Sequence, residues 1–308
     1  MLRKRLLVWT LVAVVAFAVM IAAQAPQGQP GQGQGAGGGR GGAGGGAPAI
    51  KMVKPGLYMV TGAGGNSVVR VTNDGIVVVD TKNPGEANYN GLMDQIKTVS
   101  TQPVRFVVVT HIHQDHSGNV ESFLKSGAQV VVHENLIKNI DTYTGAKPAK
   151  PNVTYAKDYS IKLGNTEVAH VYHFDSGHTA GDSVVYFPDV GVVAMGDELS
   201  TNTNCDYPMG GSIPGWAKSI DAVLKLNFDT AIAGHGNDPM TKADLQALKT
   251  KLDSITKNAI DLVKKGTPKD QLVAQIQAAD ANATVGGMLQ NNATRVDLFF
   301  EEISKLAK

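Results

Sequence analysis

From Leu57 onward the apolar positions fall in short β-type runs, LYMVTG, SVVRVT and GIVVVD, separated by Gly-Gly-Asn and Asn-Asp-Gly turn signals, which predicts an antiparallel start. A helical stretch near Gly91 to Ser100 comes next, then a strand from Val104 to Thr110, a helix after Gly118 and a strand from Ala128 to His133. Further strands are predicted at Thr166 to Phe174, Ser183 to Phe187 and Val190 to Met195. A helix near Gly215 to Leu226 leads to a strand from Asp229 to Ala233, and the tail from about Thr241 is helical, with breaks at Gly266-Thr-Pro and Gly286-Gly287. Strand groups interrupted by helices point to an α/β fold whose sheets are covered by helices on their outer faces. The stretch Gly62-Ala-Gly-Gly-Asn66 has the look of a dinucleotide loop, but it lacks the third glycine and a following helix. It reads as a hairpin turn.

The first fifty residues break this pattern. Arg3-Lys4-Arg5 precede an apolar stretch from Leu6 to Ala23 interrupted only by Thr10, so residues 1–25 read as a signal peptide or N-terminal membrane anchor. The stretch exceeds the roughly 7–15 residues of a usual signal core, and Pro26 follows the best Ala-x-Ala site. Both features favour retention. Residues 26–49 are almost all Gly, Gln, Ala and Pro and read as a disordered tether. The expected location is therefore exported, periplasmic or otherwise extracytoplasmic, with membrane attachment if the segment stays uncleaved. That leaves residues 50–308 for one large domain.

Composition narrows the partners. Lys and Arg total 28 against 27 Asp and Glu, with no basic run interleaved with aromatics, which argues against nucleic acid. The one cysteine, Cys205, permits no internal disulfide.

The chemistry concentrates in VTHIHQDHSG, Val109 to Gly118, which places three of the chain's 8 histidines and an aspartate within six consecutive positions. Deprotonated histidine and aspartate bind divalent metals. In a turn beyond a buried strand, His111 and His113 can point one way while Asp115 and His116 swing to a second position. One metal needs only three or four protein ligands, so four in one turn suggest two metals. Three further candidates stand just past apolar runs and beside glycines: His178 in FDSGHTAGD, Asp197 in VVAMGDEL and His235 in TAIAGHG. Strand-end loops are where sheet proteins gather their sites. His133, His170 and His173 lie within or at the end of strand patterns without such partners and read as structural, and Cys205 reads as a bystander.

The His-x-His-x-Asp-His run at His111, His113, Asp115 and His116, with VVVD ending in Asp80 and the GHT, GD and GHG segments, resembles the metallo-β-lactamase superfamily over about Leu57 to Pro239. The GAGGN, HTAGDSVVYFP and MGDEL stretches look like exported hydrolases of undefined substrate within it. The resemblance implies an αββα sandwich, here with extra C-terminal helices. It further implies that His111, His113 and His178 hold one metal, that Asp115, His116 and His235 hold the second, that Asp197 bridges them, and that Asp80 orients a liganding histidine. Asp197 stands where some lactamases use a metal-bound cysteine. No lysine lies just downstream to hold a β-lactam carboxylate, although Ser200, Thr201 and Thr203 offer hydroxyls.

Two divalent cations lower the pKa of a shared water far below the bulk value, so the expected reaction is attack by that hydroxide on an acyl carbon of a lactam, lactone, thioester or similar bond. Asp115 is the catalytic candidate, as acceptor or relay of the water's proton. Zinc is the default, and an all-N/O donor set also accepts iron or manganese. Five neutral imidazoles and two carboxylates around two such ions and a hydroxide leave a net charge of about +1, which favours a small anionic substrate. The alternatives are a true β-lactamase, a nuclease disfavoured by the charge balance, and a non-catalytic metal-binding accessory protein at the membrane surface.

Overall fold

The computed structural model describes residues 45–201 and 204–308. The expected signal or anchor at 1–25 and Thr203 lie outside the described residues, as does the tether up to residue 44; its last residue, Ala49, opens a strand. Among the described residues no helix is long and apolar enough to cross a membrane.

One sheet contains, in spatial and chain order, β1 (Ala49–Lys54), β2 (Leu57–Thr61), β3 (Ser67–Thr72), β4 (Gly75–Val79), β5 (Val104–Val108), β6 (Gln129–His133) and β7 (Val153–Tyr155). Pairing is antiparallel from β1 to β4 and parallel from β4 to β7. The second sheet comprises β8 (Asp158–Leu163), β9 (Thr166–Tyr172), β10 (Val184–Phe187), β11 (Val192–Ala194), β12 (Thr230–Ile232) and β13 (Met240–Thr241), with β8 and β13 at its edges. Its one parallel pair is β11 with β12.

The pleat explains why the central strands are apolar at every position. Side chains alternate faces along a strand, and both faces here are covered. In β4, Val77 and Val79 meet Ile161, Val171 and Val185 of the other sheet, whereas Ile76 and Val78 face outward beneath α1 (Glu86–Lys97), against Leu92 and Ile96. In β10, Val185 and Phe187 fill the space between the sheets, and Val184 and Tyr186 turn to the opposite layer. Short helices α2 (Gln114–Ser117), α3 (Val120–Lys125) and α4 (Glu134–Asn139) follow β5 and β6. The outer layer on the second sheet consists of α5 (Ile213–Val223), α6 (Lys242–Lys264), α7 (Lys269–Ala279), α8 (Val285–Met288) and α9 (Ala293–Leu306). Trp216, Leu252, Ile255, Leu272 and Phe299 pack there with Val184 and Val193. The expected helix–sheet–sheet–helix layering with extra C-terminal helices is what the chain adopts.

The long α6 starts where the sequence places it because Thr241 and Asp244 form a reciprocal capping box. Four strands escape the sequence pattern: β1, β7, β8 and β13. The expected break at Gly286-Gly287 is a second difference, since both glycines lie inside the short α8. Its turn packs so closely on Asn291 that a Cβ on Gly286 would come within 2.8 Å of the Asn291 Oδ1 atom.

Candidate metal centre

Each candidate donor sits just beyond the carboxyl end of a strand, so the layering carries them all to one rim of the sandwich. His111 and His113 follow β5, Asp115 and His116 lie in α2, His178 lies between β9 and β10, Asp197 lies in the turn Gly196–Glu198 after β11, and His235 follows β12. The loop bearing His178 is cinched by buried Asp182, whose carboxylate accepts hydrogen bonds from the backbone N–H groups of Gly177 and Thr179 and from the Thr179 hydroxyl.

The seven side chains form two groups, His111, His113, His178 and Asp197 in one and Asp115, His116 and His235 in the other, with ligand atoms within 4.8 Å of one another inside each group. His113 Nδ1 lies 3.1 Å from His111 Nε2 and 2.9 Å from His178 Nε2. His116 Nε2 and His235 Nε2 are 3.3 Å apart, and His235 Nε2 is 3.1 Å from an Asp115 carboxylate oxygen. Asp197 faces both groups: its Oδ2 lies 3.6 Å from His178 Nε2 and 3.9 Å from His111 Nε2, and its Oδ1 lies 3.4 Å from both His116 Nε2 and His235 Nε2.

In His111, His113, His116 and His178 the rear nitrogens fix which atom of the ring points inward. His116 Nδ1 donates to Asp80 Oδ2 at 2.7 Å, and Asp80 in turn accepts from the Thr110 amide and hydroxyl. His111 Nδ1 lies 3.0 Å from the Thr110 hydroxyl, and His178 Nδ1 donates to the Asn204 carbonyl at 2.7 Å. His113 Nε2 donates to Asp206 Oδ2 at 2.8 Å. A ring that gives away its rear proton turns a bare lone pair inward, the usual arrangement of a metal-binding imidazole. Facing lone pairs about 3 Å apart repel unless a cation lies among them. Buried Asp197 Oδ1 also lacks a hydrogen-bond partner, so the donor set fits divalent metal.

The two groups differ electrostatically. Burial pushes His111 well below its ordinary value, reinforced by His116 and His178, and burial brings His178 down to about 4 despite Asp197. Burial also opposes charge on His116, but Asp115, Asp197 and Asp80 raise it to about 9. His235 is raised to about 10 against burial, by the adjacent carboxylates of Asp115 and Asp197. Metal-free protein at neutral pH thus carries neutral imidazoles at His111 and His178 and protonated ones at His116 and His235.

Two glycines make the close approaches possible. A Cβ on Gly65, in the Gly62 to Asn66 hairpin turn, would fall 2.2 Å from the His116 ring, and one on Gly234 would fall 2.1 Å from Asp197 Oδ1. The hairpin turn is therefore also a wall of the site. Asn66 ties it to the His235 loop through side-chain bonds to the carbonyls of Ala233 and Gly236. Sequence reasoning missed this role, and missed Asp206, which no motif marks. Cys205 is buried with its thiol 3.4 Å from the Gly177 carbonyl, outside both groups. Ser200 is buried and bridges to His235 through the backbone, whereas Thr201 is exposed. His133 stacks on His173 at 3.7 Å and His170 lies beside Glu167, all three outside the donor groups.

The metallo-beta-lactamase superfamily model matches residues 60–235. A metallo-beta-lactamase type 2 of Elizabethkingia meningoseptica is 31% identical over 176 residues, covering 55% of this chain and 68% of that protein. A hydroxyacylglutathione hydrolase of Legionella pneumophila is 26% identical over 155 residues, covering 50% of this chain and 56% of that protein. The solved metallo-beta-lactamase of Pontibacter korlensis has the same fold, with a TM-score of 0.59 at 22% identity over 67% of this chain and 99% of that one. With its signature residues gathered in these two donor groups and the family match spanning more than half of its length, the chain belongs to the metallo-beta-lactamase superfamily.

Proposed function

We propose that the protein is an exported dinuclear metal-dependent hydrolase that cleaves an acyl-type bond, such as a lactam, lactone or thioester, in a small anionic molecule. The observation that carries this reading is the division of the Asp197 carboxylate, one oxygen toward each donor group. Two divalent ions, zinc by default, would supply Lewis acidity and a water acidic enough to ionise near neutral pH. The chain's own groups do the rest. Asp115 has the most exposed side chain of the seven donors, at 29%. Burial favours its neutral form, but His116 and His235 override burial and hold its carboxyl well below the usual carboxylate range. It therefore meets an incoming substrate as an anion. Export rests on the basic and apolar N-terminal segment, and an anionic substrate rests on the charge balance of the donors.

Elemental analysis of zinc-reconstituted protein is expected to give two ions per chain, and a value that stays at or below one overturns the dinuclear reading. A panel of lactones, thioesters and nitrocefin then assigns the bond. Nitrocefin tests a second reading, a true β-lactamase, favoured by the Elizabethkingia relative; Asp197 and the withdrawn Cys205 thiol distinguish this site from a cysteine-liganded one. No turnover across the panel by fully loaded protein would favour a non-catalytic metal-binding role.

The electrostatic difference between the groups gives a pH prediction. His116 and His235 must lose their protons to bind an ion, so affinity at the second position rises with pH until about 9 to 10 and falls below it, by about tenfold per pH unit for each displaced proton. His178 and His111 are already neutral at neutral pH and displace no proton, so the first position has the shallower dependence between pH 6 and 8. Chelator competition at those two pH values measures both constants. Equal slopes for the two ions would refute the assignment.

A further inference from the structure

The helices beyond residue 240 lie outside the segment that matches the family, yet one of them reaches the metal centre. Arg295, in the first turn of α9, is 95% buried. Its Nη2 donates to Asp206 Oδ1 at 2.8 Å and its Nη1 donates to the Cys205 carbonyl at 2.6 Å. The other oxygen of Asp206 accepts from His113 Nε2. Seven residues along α9, on the same helix face, the Glu302 carboxylate accepts from the hydroxyls of Tyr207 and Ser212. One helix thus grips both ends of the segment from Cys205 to Ser212. Beside that segment, the Asn204 carbonyl holds His178 Nδ1, and the Asp206 amide donates to the His178 carbonyl.

We infer that α9 is a working part of the first metal position and that Arg295 is its positioning residue, acting through Asp206 to keep the His113 ring with Nδ1 turned inward. This rests on the metal-centre reading above. A carboxylate with one partner is free to rotate, and a histidine hydrogen-bonded to it is free to follow. A guanidinium anchored on the Cys205 backbone carbonyl removes that freedom, because its donors form a rigid planar fork. Lysine offers one point of attachment and keeps the charge.

The test compares full-length wild type, Arg295→Met, Arg295→Lys and Ile303→Val, the last loosening α9 in the core without touching the fork. Long-range proton–nitrogen spectra of the metal-free proteins read the His113 tautomer, and chelator competition with cobalt spectra reads each ion's affinity. The wild type is expected to hold the Nε2–H tautomer. Arg295→Met is expected to mix the two tautomers and to weaken the ion on His111, His113 and His178 by about 10–100-fold, with the other ion changed by less than about twofold. Arg295→Lys should fall between, and Ile303→Val should match wild type. The inference is overturned if Arg295→Met, or Arg295→Lys where the former does not fold, leaves tautomer and affinity unchanged. It is equally overturned if Ile303→Val reproduces the loss. Should wild type bind a single ion, the dinuclear reading fails while the tautomer and the first ion's affinity still decide the role of Arg295.

Discussion

Asp115→Asn, loaded with metal to the wild-type level, is expected to turn over substrate about 10²-fold or more slowly, the usual scale of lost general-base help, and added zinc does not restore the rate. The amide keeps an oxygen able to act as a weak ligand but accepts no proton from a neighbouring water at neutral pH. Asp115 is singled out by position as well as by chemistry. Asp197 is buried between the two donor groups, whereas Asp115 reaches the opening of the site with an Oδ2 that leans on His235 Nε2 at 3.1 Å. The comparison uses whichever substrate the lactone, thioester and nitrocefin panel identifies, with metal content measured on the same samples. A fully loaded Asp115→Asn protein that hydrolyses it at near wild-type rate would reduce Asp115 to a ligand.

The convergence of the candidate donors was legible in the sequence because chemistry and topology mark the same positions. Each of His111, His178, Asp197 and His235 follows an apolar run, and a run covered on both faces must be a central strand whose end opens onto a loop. The four strands the pattern does not reveal are the four sheet edges, β1, β7, β8 and β13. An edge has fewer neighbours to satisfy, so it is short, as in β7 and β13, or carries charge, as do Lys51 and Lys54 in β1 and Asp158 and Lys162 in β8. Such segments lack the apolar continuity that identifies the centre. The support behind the donors was hidden for another reason. Asp206 and His113 are 93 positions apart, and Arg295 and Asp206 are 89 apart, so no local spacing relates them. Only the packing of α9 over the second sheet brings that chain of contacts together. The Gly62 to Asn66 turn was legible as a hairpin, while its service as a wall beside His116 depends on an absent side chain, which a sequence pattern reports only as flexibility.

Gly234→Ala is expected to remove both ions at once, in contrast to a change at any one liganding histidine. The added Cβ would lie 2.1 Å from Asp197 Oδ1 and 2.6 Å from the Gly196 carbonyl carbon, distances that non-bonded atoms do not tolerate. Neither side can retreat cheaply. The Gly234 amide is tied to the carbonyls of Gly196 at 2.7 Å and Leu199 at 2.9 Å, and the next residue, His235, is itself a donor. Withdrawing the Gly234 backbone would pull His235 out of the second group, and displacing the Asp197 carboxylate would open both groups, since its two oxygens face one each. The expected result is a fall in bound metal toward zero at stoichiometric zinc and a loss of activity of at least about 10²-fold, as for removal of essential general-base chemistry. Because Gly234 has no positive φ to lose, the effect is one of space, and the metal-free variant should keep its circular dichroism spectrum. A Gly234→Ala protein that retains two ions and wild-type turnover would show that Asp197 is not held between the two groups by the backbone of the His235 loop.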